Sequence, residues 1–121
     1  MTEPITIAKN IAKMLDSKKA LDIKLLEVKD LTMIADYFLI ATGNSSTQLK
    51  ALCDYVEEEM EKADIRKSNK EGYSGASWIL LGYDGVIVHL FLPETRDFYD
   101  LEHVWQDAQH IDLSDVVTAE A

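Results

Sequence analysis

Apolar residues first recur at helical spacing. Ala8, Ile11, Ala12 and Leu15 share one face of a segment that predicts a helix from Ile5 to Ser17, and Lys18 and Lys19 follow where cations suit a helix C-terminus. The period then changes. Leu21 to Val28 alternates and predicts a half-buried strand, and Asp30 to Ala35 reads as a connection. Tyr37 to Thr42 is apolar on both faces, the pattern of a central strand.

Helical spacing returns after Gly43-Asn44-Ser45-Ser46-Thr47. Leu49, Leu52, Cys53, Val56, Met60 and Ala63 form a stripe on a helix from Gln48 to Ala63, with Glu57, Glu58, Glu59 and Glu61 mostly outside it. Ser45 or Ser46 suits the N-cap, and Gln48 has the spacing to close a capping box with Ser45. Ile65 to Ser68 predicts a short strand, and Lys70 to Gly75 a loose polar connection with two glycines.

The strongest local signal is Trp78-Ile79-Leu80-Leu81-Gly82-Tyr83-Asp84-Gly85-Val86-Ile87-Val88-His89-Leu90-Phe91-Leu92. Two apolar runs flank an Asp-Gly turn, which predicts a hairpin. Pro93 ends the second strand, and a last helix is predicted from Thr95 to Gln109, with Phe98, Leu101, Trp105 and Ala108 as its inward stripe. Tyr99 follows Phe98 and so points about 100 degrees away around the helix, which predicts partial exposure. The expected fold is α/β: a single domain over residues 1–113 with a mixed sheet of about five strands flanked by helices. Its first two strands are expected to be antiparallel neighbours, and residues 114–121 an unpacked tail.

Composition narrows the class. The chain has 121 residues, enough for one domain, and at 47% hydrophobic residues it can build a core. No apolar run has membrane-spanning length, the first residues lack a secretory pattern, and a cytoplasmic location is expected. One cysteine excludes an internal disulfide and a cysteine-based zinc cage. Acidic residues number 22 against 12 basic ones, a formal charge of −10. Phosphate backbone repels such a protein, so little direct nucleic-acid contact is expected; a basic protein surface suits it better.

Catalytic groups are sparse. Gly43 to Ser46 sits where backbone N–H groups can meet an anion, but it lacks the Lys-Ser/Thr ending of a phosphate loop. Asp97 and Asp100 share a helix face without an apolar pocket to shift them, and His103 and His110 are too far apart for a helical metal pair. His89 alternates with core residues and reads as a satisfied, partly buried histidine; Cys53 reads as a small core residue. The aromatic set of Trp78, Phe98, Tyr99 and Trp105 either closes the core edge or anchors a partner. A third and weaker reading makes the same patch the seam of a homodimer.

Three blocks carry a resemblance: Ala35-Asp36-Tyr37-Phe38-Leu39-Ile40-Ala41-Thr42-Gly43-Asn44-Ser45-Ser46, the hairpin from Trp78 to His89, and Arg96-Asp97-Phe98-Tyr99-Asp100-Leu101-Glu102-His103-Val104-Trp105. Together, in this order and over nearly the whole chain, they resemble the ribosomal silencing factor family, also called Iojap-like. The resemblance implies an α/β domain related in fold to nucleotidyltransferases. It implies binding to the large ribosomal subunit through its fourteenth ribosomal protein, which blocks joining of the small subunit and represses translation. It implies no catalysis, cofactor or metal. The positions that match the family's contact motif are Trp78, Tyr99, Leu101 and Glu102, with Asp100 and Asp84 near it and of fitting charge. The enzyme kinship departs at Asp84, after which Gly85, Val86 and Ile87 supply no second acid to hold Mg²⁺. The other reading left standing is a nucleotidyltransferase-like or other phosphate-binding enzyme centred on Gly43 to Ser46.

Overall fold

In the computed structural model, which describes residues 3–117, the predicted order of elements is present, with changes at the C-terminal end. Helix α1 spans Pro4–Ser17, with proline at its first turn, where the missing N–H costs nothing. Strands β1 (Leu21–Glu27) and β2 (Tyr37–Thr42) precede helix α2 (Ser46–Lys62). Then come β3 (Lys67–Glu71) and the hairpin of β4 (Trp78–Tyr83) and β5 (Val86–Phe91), whose turn places Gly85 at φ +82, a value that glycine adopts without strain.

The expected final helix is two short ones, α3 (Pro93–Tyr99) and α4 (Leu101–Val104). Asp100 separates them in the left-handed region at φ 49, and its N–H donates to the Arg96 carbonyl. The chain then adds a sixth strand, β6 (Gln109–His110), which pairs with Leu26 and Glu27 at the end of β1. Residues 114–117 correct a second expectation. They form a turn rather than an unpacked tail: Val116 and Val117 lie against the core, and Asp115 pairs with Lys9 at 3.0 Å. The rest of the expected tail, 118–121, lies outside the described residues.

The sheet order is β3-β4-β5-β2-β1-β6. Among the described residues, β2 and β5 alone pair in parallel; the other neighbours, including β1 and β2, are antiparallel. The third strand falls a little later than expected and carries a register shift between Lys67 and Asn69. A bulge between Leu21 and Lys24 breaks the expected alternation of β1, and Asp22 there has φ 50.

Both helices of the N-terminal half cover one side of the sheet. Ile7, Ala8, Ile11, Ala12 and Leu15 of α1 and Leu49, Leu52, Cys53, Val56 and Met60 of α2 meet Leu39, Ala41, Ile79, Leu81, Val88 and Leu90 in the main core. The other side is thinner. Leu26, Val28, Phe38, Ile40 and Phe91 are covered by Leu101, Trp105 and Ala108 from the C-terminal segment, and Trp78 and Ile87 pack at the edge of this cluster. That asymmetry leaves the β4 side of the second face open, and it positions the candidate site.

Candidate functional site

Alternation along the hairpin sends Ile79, Leu81 and Tyr83 into the main core, where all three are buried. Trp78, Leu80 and Gly82 therefore point to the opposite side. Trp78, Leu80 and Ile87 are half-buried there, and Leu80 joins neither core cluster.

The rings at this face form a continuous row. Phe98 and Tyr99 meet edge to face at 5.0 Å, Tyr99 lies 4.7 Å from Trp78, and Trp78 stacks on buried Phe91 at 4.9 Å. Tyr99 is 47% exposed, in keeping with its predicted direction. Phe98 overturns its expectation. It is 79% exposed, because α3 ends at Tyr99 and its buried position is taken by Arg96 rather than by the phenyl ring. Trp105 does turn inward, as expected, and meets Phe38 edge to face at 5.1 Å.

Arg96 explains the elbow between the two short helices. It is 6% exposed, and its guanidinium donates to both carboxylate oxygens of Glu102, at 3.1 and 2.9 Å. It donates further to the Asp22 carbonyl at 2.7 Å and to the Thr42 hydroxyl at 2.8 Å. One side chain thus ties the β1 bulge, the end of β2 and the first turn of α4, in the bidentate geometry for which arginine is suited. Asp100 completes the turn by accepting from the His103 and Val104 N–H groups.

The predicted contact residues accordingly separate. Trp78 and Tyr99 touch. Leu101 is half-buried on the second cluster, and Asp100 lies exposed at the elbow between Tyr99 and Leu101. Glu102 spends both oxygens on Arg96, so it holds the elbow from within. Asp84 stands apart: it is exposed in the hairpin turn, just beyond the far end of β4 from Trp78, about 20 Å at strand rise. Sequence reasoning did not single out Leu80, Ile87 or Arg96. The alternation of the hairpin carried the signal for the first two; nothing local marked the third.

His89 lies directly beneath the row and corrects its expected status as satisfied and partly buried. It is buried, its Nδ1 accepts from the Trp78 indole N–H at 3.1 Å, and its Nε2 has no partner among the described residues. Burial lowers its pKa to about 4. The unfolded chain takes up this proton near pH 6.5 and the folded chain does not. Stability is therefore complete above about pH 6.5 and falls as the pH drops toward 4, by about 3 kcal/mol for this group. Denaturant titrations at pH 4.5 and 7.5 are expected to show a smaller acid loss in His89→Asn than in the wild type, by about 2–3 kcal/mol; equal losses would contradict a buried neutral imidazole.

Elsewhere the chemistry is quiet. Ser45 caps α2 by accepting from the Gln48 N–H at 3.1 Å, and the Gln48 side chain reaches back to the Asn44 N–H at 2.6 Å. The expected capping box is present, displaced by one residue at its returning bond, and two N–H groups of the turn are already in use. Ser45→Ala is expected to cost about 1 kcal/mol, read as a lower melting temperature. On the α2 side, an open acidic groove of about 610 Å³ lies along Asp54, Glu57, Glu58, Glu61 and Asp64. Cys53, Asp54 and Glu57 bring their ligand atoms within 4.8 Å of one another there. Burial pushes the Cys53 thiol up to about 12. Burial also raises the Glu57 carboxyl, but hydrogen bonds from Lys67 and Lys70 outweigh it and hold the group below its ordinary value. A protonated thiol beside a carboxylate already claimed by two lysines is a poor metal cage.

The fold and sequence have close counterparts. Residues 2–121 match the family model described as "Ribosomal silencing factor during starvation". The chain belongs to the ribosomal silencing factor family. It is 36% identical over 108 residues to the ribosomal silencing factor of Bacillus subtilis, covering 89% of this chain and 92% of that one. It is 37% identical over 111 residues to the chloroplastic protein Iojap of Arabidopsis thaliana, covering 92% of this chain and 46% of the longer plant protein. It is 30% identical over 98 residues to a Mus musculus protein named "Mitochondrial assembly of ribosomal large subunit protein 1", covering 78% of this chain and 43% of that one. A crystal structure from Chromobacterium violaceum superposes with a TM-score of 0.84 at 33% identity, covering 87% of this chain and 88% of the other. The family thus carries the single α+β domain with a mixed open sheet. Among the described residues, no helix is long and apolar enough to cross a membrane.

Proposed function

We propose that this protein regulates translation by docking on the large ribosomal subunit through its fourteenth ribosomal protein, where its bulk prevents the small subunit from joining. The observation that supports this reading most is the open side of the sheet. A row of rings from exposed Phe98 through Tyr99 to Trp78 adjoins half-buried Leu80 and Ile87, on an otherwise acidic domain. Tryptophan and tyrosine are the residue types that dominate interface hot spots, and net negative charge favours a basic protein patch over bare RNA. The names of the bacterial relatives and of the mouse relative point the same way, to silencing and to the large subunit. Such a mechanism needs occupancy, not turnover.

The direct test is subunit joining. Purified large and small subunits, mixed with saturating protein, are expected to remain apart in a sucrose gradient, while Tyr99→Ala at the same concentration restores most of the joined peak. Normal joining in the presence of saturating wild type would refute the mechanism. Joining blocked equally by Tyr99→Ala would remove Tyr99 from the interface. A free homodimer sealed by the same rings predicts that Tyr99→Ala lowers the mass seen by light scattering. The phosphate-binding reading of Gly43 to Ser46 gains no support from the turn, whose Gly43 and Asn44 N–H groups already donate to the Phe91 carbonyl and the Gln48 side chain.

A further inference from the structure

Trp78 and His89 lie on neighbouring strands and on the same face. The register pairs Trp78 with Phe91 and Leu80 with His89, so the tryptophan and histidine are diagonal neighbours, close enough for long side chains to meet. They meet through a specific bond, Trp78 Nε1–H to His89 Nδ1 at 3.1 Å, with the ring centroids 5.9 Å apart. Below, the His89 ring stacks nearly parallel to Phe91 at 6.2 Å and meets Phe38 edge to face at 4.9 Å. His89 is 5% exposed, and its buried Nε2 has no hydrogen-bond partner among the described residues.

Stability alone does not favour that arrangement. A buried polar atom without a partner is costly, and a leucine in the same space would leave none on its own side chain. Because Nδ1 accepts, the neutral ring must carry its proton on Nε2, the very atom left unpaired. The histidine therefore gives up one hydrogen bond and supplies one to the indole. Its burial keeps the ring neutral near pH 7, so the Nδ1 lone pair stays available. The Trp78 indole is half-buried and would otherwise be held only by ring contacts, which tolerate sliding and rotation.

We infer that His89 is a positioning residue for docking: its Nδ1 holds the Trp78 indole in the orientation that the partner meets. The inference rests on the reading above, in which Trp78 is an anchor. An anchor that must be found in the right rotamer binds more weakly by the fraction of time it spends there, so a pre-set indole strengthens binding without touching the partner itself.

The test compares His89→Leu, which removes the acceptor, with His89→Asn, whose amide oxygen can stand near the Nδ1 position. Three quantities are read: melting temperature, the Nε1–H resonance of Trp78 in indole-¹⁵N-labelled protein (assigned by its loss in Trp78→Phe), and affinity for purified large ribosomal subunits. His89→Leu is expected to melt at or above the wild-type temperature at pH 7.5. Its Trp78 resonance is expected to move upfield and exchange faster with solvent. Its affinity is expected to fall roughly tenfold, the factor for an anchor correctly oriented about a tenth of the time. His89→Asn is expected to recover both the resonance and the affinity. A Trp78 resonance unchanged in His89→Leu, or moved without any loss of affinity, would overturn the inference. If His89→Leu does not fold, His89→Gln takes its place, since its amide reaches toward the Nε2 position instead. Trp78→Ala is run beside them: full binding by that variant refutes the docking reading itself, whereas weak binding by Trp78→Ala with full binding by His89→Leu refutes only the positioning role.

Discussion

Trp78→Ala is expected to weaken binding to large ribosomal subunits by roughly 30- to 700-fold, the range of a 2–4 kcal/mol anchor. The indole sits where the buried and exposed parts of the aromatic row join, between Phe91 below and Tyr99 beside it. Truncation removes the apolar area offered to a partner and the surface against which Tyr99 rests. It also leaves the His89 Nδ1 without its donor, so the fold itself loses about 1–3 kcal/mol. The two effects are separable. Val56→Ala, a cavity in the main core beneath α2, is expected to cost a similar amount of stability and to leave binding unchanged, because Val56 packs on the far side of the sheet. Sedimentation of each variant with purified large subunits, alongside thermal melting, reads both. Undiminished co-sedimentation of Trp78→Ala would rule out this face as the docking surface, and equal loss by Val56→Ala would show that binding merely tracks stability.

Arg96→Met is expected to be the most destabilising single change in the C-terminal segment, at about 3–5 kcal/mol, the usual cost of breaking a buried ion pair from one side. Methionine keeps the length and packing of the stem but donates nothing. Both oxygens of Glu102, the Thr42 hydroxyl and the Asp22 carbonyl lose their donors together. Glu102 retains some access to water, with its side chain 29% exposed, which places the expectation near the lower bound. For a domain of this size, about 3 kcal/mol corresponds to a fall in melting temperature of roughly 10 °C. The backbone hydrogen bonds around Asp100 remain, but none of them ties the elbow to the sheet as the guanidinium does, so Tyr99 and Leu101 are expected to lose part of their relation to the sheet, and binding to fall with it. Arg96→Met/Glu102→Gln is expected to recover part of the loss, because the stranded carboxylate is gone; the coupling read from the full cycle is expected at about 1–3 kcal/mol. Additive effects of the two changes would show that the pair is not coupled.

These residues mark where reading by period succeeds and where it stops. The stripe of Leu49, Leu52, Cys53, Val56 and Met60 was visible because each of these side chains enters the same core from one helix, whereas Ala63, expected to extend it, is the exposed C-cap. The stripe of Phe98, Leu101, Trp105 and Ala108 looked equally regular, yet the helix that would have carried it breaks at Asp100. Past the break the face rotates: Trp105 and Ala108 still turn inward, while Phe98 is left outside. An aspartate at φ 49 carries no local warning, because the turn is held by Arg96 reaching to groups 54 and 74 residues earlier in the chain. Strand β6 escaped for a related reason, since two residues are too few to show a period and are placed by pairing with β1.

Taken by itself, the order of residues determined α1, α2 and the hairpin, for in each the period of apolar side chains reports burial within one continuous element; the resemblance to the family was carried by three sequence blocks, not by the period. It also singled out Trp78 and Tyr99, whose rings the structure brings to 4.7 Å of each other. Tertiary structure alone decided that one side of the sheet is left partly uncovered, that Phe98 faces outward, that Glu102 serves Arg96, and that His89 supports the Trp78 indole. The physical reason is one of range. A local pattern records each side chain's preference for oil or water, whereas a hydrogen bond between strands or a guanidinium shared by three elements exists only once the chain has brought distant residues to within about 3 Å of one another.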